Sequence, residues 1–132
     1  MKRSEINKIM RENLEFIKQM GFQLPPFAYF TPQEWQEKGH EYDEIRNHML
    51  GWDITDYGLG RFDQVGFSLI TLRNGNLAMA DKYPKTYAEK LLFLKEGQYS
   101  PNHFHWHKME DIINRGGGTL LIRVYNSLPD EE

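Results

Sequence analysis

Cysteine is absent from all 132 residues, which excludes disulfide staples and zinc–thiolate sites and is consistent with a reducing compartment. Positive charge is in short supply: 16 Lys and Arg against 19 Asp and Glu leave a net charge of -3. No cationic surplus is therefore available to draw in nucleic acid. No apolar run approaches membrane-spanning length, and the opening MKRSEINKIM lacks the long apolar core of a signal peptide. The expectation is a cytoplasmic chain with no membrane and no nucleic-acid partner. Its length allows one domain with a real core, over residues 1–132.

Aromatic residues reach 14%, which favours a β-rich interior or a carbohydrate-facing cleft. Ile6, Ile9, Met10, Leu14, Ile17 and Met20 recur at helical spacing between a capping Ser4 and a stop at Gly21. Residues 22–30, broken by Pro25 and Pro26, read as extended. Thr31, Pro32 and Glu34 form a capping box that opens a short helix to about Lys38, and another short helix is expected over 42–50. His40 and His48 lack a partner at ligand spacing and are expected on the surface. From residue 51 glycines punctuate β-prone pieces. A strand is expected over 67–73, an Asn74-Gly75 hairpin returning through Leu77 to Met79, and further strands over 86–94, 103–107, 110–114 and 119–125. Residues 129–132 form a short acidic end. Helices over 1–50 followed by hairpins, without a βαβ rhythm, indicate a mainly β fold, an antiparallel barrel or jelly roll with a helical preface.

The chemistry concentrates in residues 97–117, GQYSPNHFHWHKMEDIINRGG. His103 and His105 are two apart, so on a strand they project to one side, and Glu110 follows five residues later. Two imidazoles and a carboxylate suit Mn, Fe, Co, Ni or Zn better than the all-oxygen sites of Ca or Mg. Gly97 should turn the chain into the strand, and Gly116, Gly117 and Gly118 should reverse it through positive φ. This spacing resembles the first signature of the cupin barrels in every slot. Phe104 and Trp106 are expected in the core, and His107 at the cavity rim. Lys90 shares a face with Leu92 and Leu94; it is either a proton donor beside the metal or an edge lysine reaching water. Lys108 either reaches the mouth of the site or is solvated. Such a ligand set suits enolisation of an α-hydroxy carbonyl and oxygen activation equally.

MKRSEINKIMRENLEF, GLGRFDQVGFSLITLRNG, KYPKTYAEKLLFLKEGQYSP and HFHWHKMEDIINRGGG resemble the D-lyxose isomerase family of cupins over essentially the whole chain. The resemblance implies a Mn2+-dependent homodimer that interconverts D-lyxose with D-xylulose and D-mannose with D-fructose through a cis-enediol, a hydride shift being the other route. It implies His103, His105 and Glu110 as metal ligands, Lys90 and Glu110 as catalytic groups, and Lys90, His103 and Lys108 as sugar contacts. Members of that family are longer and carry a second signature with another histidine ligand and acidic proton carriers. Fifteen residues follow Gly117, room for one strand, so this chain resembles the N-terminal part, with an incomplete barrel and a three-ligand metal. The alternatives are a non-catalytic metal- or sugar-binding cupin and an Fe(II)-dependent dioxygenase.

Overall fold

A computed structural model describes residues 1–128; the acidic end at 129–132 lies outside the described residues. Helix α1 spans Arg3–Gln19. It begins earlier than Ser4 because the Glu5 carboxylate accepts from the Lys2 backbone N–H at 2.6 Å, making Lys2 the cap. Its end follows the glycine signal: Gly21 takes φ +69°, its N–H donates to Lys18 O, and Phe22 N–H donates to Ile17 O. That pair of bonds is a Schellman closure. Ile9 and Ile17, two turns apart, are buried, and Asn13 Nδ2 donates to Ser68 Oγ at 2.6 Å, tying the helix to the sheet.

The connection after α1 is not extended throughout, since Pro26–Tyr29 winds into a 3-10 turn. The turn buries Ala28 and aims its carbonyl at Trp52 Nε1, which donates at 2.8 Å. Helix α2, Pro32–Glu37, carries the expected box: Glu34 N–H donates to Thr31 Oγ1 at 3.2 Å and Thr31 N–H to Glu34 Oε2 at 2.7 Å. The next helical stretch divides into a 3-10 turn, His40–Tyr42, and a short α3, Asp43–Asn47. His48 is buried, contrary to expectation. Its Nδ1 bonds to the Asn74 carbonyl, its ring edge meets Tyr83 at 4.4 Å, and Asn74 Nδ2 donates to the His48 carbonyl at 3.1 Å. Both partners lie more than twenty-five residues away, beyond the reach of local spacing.

The sheet is antiparallel in the order β1-β2-β3, with β1 at Gly51–Thr55, β2 at Phe67–Arg73 and β3 at Glu89–Phe93. Trp52, Ile70 and Leu91 align in one row across it. Alternation puts Trp52, Ile70, Leu72, Leu91 and Phe93 on the face that meets Ile17, Leu24 and Ala28, and this is the hydrophobic core. The Asn74-Gly75 hairpin does not form. Leu77–Met79 is a 3-10 turn and β2 pairs with β3 instead. Asn74 is committed to His48, Asn76 Nδ2 donates to the Asn47 carbonyl at 2.6 Å, and Gly75 lies so close to the Thr86 backbone that a Cβ would sit 2.7 Å from Thr86 Cα. The loop is thereby pulled back onto the end of α3.

Among the described residues there is no closed barrel, and the fold is mixed: helices followed by a three-stranded sheet. The stretches 103–107, 110–114 and 119–125 are not strands. Their apolar side chains stand in water, Ile113 at 70% and Leu121 at 89% exposure. A strand is stabilised by its neighbour's backbone and by a shared apolar face, and nothing described here offers them either. Substituting Ile70, fully buried at the centre of the row, by alanine is expected to lower the unfolding free energy by roughly 2–5 kcal/mol; a urea midpoint unchanged from the parent chain would contradict this account of the core.

Candidate metal centre

The motif is carried onto the sheet by the turn that follows β3. Gly97 takes φ +73°, Gln98 N–H donates to Lys95 O at 3.0 Å, and Lys95 N–H donates to Gln98 Oε1 at 2.9 Å. The Lys95 ammonium joins Glu12 of α1 at 3.2 Å to Asp63 at 2.8 Å. Tyr99 then forms a parallel bridge, its N–H donating to Gln64 O and its carbonyl accepting from Gly66 N–H. Tyr57 and Ser100 share a hydroxyl bond at 2.7 Å. The far end of the motif is set against α1: Gly116 and Gly117 have φ +121° and +86°, and a Cβ on Gly117 would lie 2.5 Å from Phe16 Cζ. Only glycine permits both that backbone and that approach.

Between these anchors the ligating atoms of His103, His105 and Glu110 lie within 4.8 Å of one another. They do so without a strand: the chain bends at residues 106–107 and returns Glu110 toward the two imidazoles. The rings stand edge to face at 5.0 Å. His103 Nδ1 lies 2.9 Å from the Pro101 carbonyl; a carbonyl only accepts, so Nδ1 carries the hydrogen and Nε2 keeps its lone pair for an ion. His105 Nε2 faces Glu110 Oε2 at 3.4 Å. Two ligand atoms each about 2.1 Å from one tetrahedral ion are about 3.4 Å apart, so from a spread of up to 4.8 Å the set closes on a transition metal by a contraction of at most roughly 1.4 Å. The donor types and their spread fit such an ion.

Lys108 contacts Glu110 Oε1 rather than a cavity mouth. Its hydrogen bond holds the Glu110 carboxyl below the ordinary glutamate range; partial burial opposes this, and the charges of Lys108, His105 and His103 add to the lowering. Lys90 sits in β3 opposite Thr71, exposed on the face away from the core and in line with exposed Leu92 and Leu94. It makes no hydrogen bond or ion pair among the described residues and is not one of the converging groups. His107 is exposed outside that group. Phe104 and Trp106 are not in the core; they are exposed and stack edge to face at 4.9 Å, because no second layer covers their side of the chain. The Pro101 carbonyl that orients His103 is a backbone group and leaves no compositional signal.

A carboxyl whose folded pKa is depressed stabilises the fold above its unfolded value, and that contribution is lost as pH falls through the folded pKa. In metal-free buffer Glu110 should therefore titrate below 4.5 when followed by carboxyl NMR. Lys108→Met should move the midpoint up toward that value, and no movement would remove Lys108 as the cause.

A profile of the family described as D-lyxose isomerase matches residues 1–132. The D-lyxose/D-mannose isomerase of Escherichia coli O157:H7 is 44% identical over 133 residues, which cover 100% of this chain and 58% of that protein. The D-lyxose/D-mannose isomerase of Serratia proteamaculans is 43% identical over 128 residues, covering 96% of this chain and 56% of that protein. The chain thus spans a little over half the length of these curated relatives. With the match running from its first residue to its last, the chain belongs to the D-lyxose isomerase family.

Proposed function

We propose that this chain carries the metal-holding portion of an aldose–ketose isomerase acting on D-lyxose and D-xylulose, and on D-mannose and D-fructose. The observation that carries the reading is the convergence of His103, His105 and Glu110 within 4.8 Å in a member of this family. The two imidazoles and the carboxylate would hold Mn2+, which when bound supplies Lewis acidity toward a substrate carbonyl and the neighbouring oxygen. His103 is preset for this by the Pro101 carbonyl, and Glu110 by its depressed pKa, which keeps the carboxylate ionised.

Isomerisation moves a proton from C2 to C1 of the sugar through a cis-enediol, and the group that carries it must lie beside both carbons. Glu110, as a ligand, serves that proton poorly. Lys90 is a cation on the open face of the sheet, suited to a sugar hydroxyl or a developing oxyanion once that face is enclosed. We infer that the proton carrier, a fourth ligand and the rest of a cupin barrel come from sequence corresponding to the remainder of the relatives' length. The stretches 103–107, 110–114 and 119–125 then pair as strands, in a homodimer. Binding of metal or sugar without turnover is the second reading, favoured by the exposure of all three ligand residues.

Purified chain incubated with Mn2+ and D-lyxose, together with the remaining segment of a full-length relative, tests both: ketose formation supports the first reading, and retained Mn2+ without ketose supports the second. His103→Ala and Glu110→Gln should each weaken Mn2+ binding by at least roughly tenfold, read by the EPR signal of free Mn2+. Oxygen uptake with Fe(II) in place of isomerisation would turn the assignment to a dioxygenase.

A further inference from the structure

Glu110 divides its two oxygens between different partners. Oε2 faces His105 at 3.4 Å, while Oε1 is taken by the Lys108 ammonium. An ammonium has three hydrogens and no lone pair, so Lys108 cannot join the ligand set. It can only neutralise the carboxylate that the set requires. Its side chain is 52% exposed, next to the bend at 106–107, and its four-carbon stem is free to carry the charge into water.

We propose that Lys108 is a resident counter-ion for Glu110 that a divalent cation must displace, so that loading the metal releases the Lys108 ammonium. This rests on the metal reading given above. An ammonium and a divalent ion sharing one carboxylate would stand about 4–5 Å apart, where their repulsion is substantial even in water. The repulsion weakens the Lys108 contact, and the ion, which also has His103 and His105 to hold it, is the cation that stays. In the metal-free chain the ammonium keeps Glu110 folded back toward the imidazoles. After exchange it is a free donor beside the site, available to a sugar hydroxyl only when the metal is in place. Metal loading and substrate contact are thereby coupled through one side chain.

The test is Mn2+ titration of the 132-residue chain, read by EPR, in Lys108→Gln, Lys108→Arg and His103→Ala. Lys108→Gln removes the competing charge and should tighten Mn2+ binding on the order of tenfold at low salt. Lys108→Arg should stay near the parent chain. Lys108→Gln binding equally or more weakly overturns the proposal, since a lysine that only positions Glu110 would give that result. An independent reading is amine-reactive labelling quantified by mass spectrometry. Labelling of Lys108 should rise when Mn2+ is added to the parent chain and not in His103→Ala; unchanged labelling with metal bound also overturns it. Loss of all His103-dependent Mn2+ binding in the parent chain would bring down the metal reading itself, whereas His103-dependent binding that ignores Lys108→Gln removes the exchange alone.

Discussion

Among the described residues, strand β2 is the one strand with neighbours on both sides, and the rest of the fold depends on its burial. Its inward residues meet α1 and the turn at Ala28, and its pairing with β3 delivers the chain to the Lys95–Gln98 turn. Backbone hydrogen bonds to both neighbours are obligatory for a strand enclosed in this way, so its register is set through Thr71, beyond which the pairing with β3 shifts and Arg73 meets Glu89. That register decides where Tyr99 bridges, and hence where the motif begins.

The His103–His105–Glu110 group is suspended from this frame more than built into it. One end is held by main-chain bonds at Tyr99, the other by van der Waals contact of glycines with α1. Between them lies an exposed stretch whose internal contacts are charge pairs and ring stacking. Interactions of that kind contribute little in water. The three side chains would therefore need either an ion or a covering layer to become rigid.

Local signals were legible in the sequence where the physics is local. The period of α1, the Thr31–Glu34 box, the β-prone run at 67–73 and the strand ending near Leu94 all act over a few residues. His48 and Asn74 depart from what local spacing implies because each is satisfied by the other across twenty-six positions, which turns a strong hairpin dipeptide into a tethered loop. The segments after β3 form no strand for a related reason: alternation marks what a segment can pair as, and pairing needs a second edge. At the site, spacing alone picked out His103, His105 and Glu110. It did not show that a bend would gather them, or that Lys108 would reach Glu110 first.

The seat of Gly117 on Phe16 carries an evolutionary implication. Positions 16 and 117 share a volume that admits one bulky group, so drift at either is constrained by the other. A lineage that acquired a side chain at 117 would have to shrink residue 16 and also bear the strain of a backbone at φ +86°. The helix surface and the metal loop would then change in step, although no residue of α1 donates a ligand.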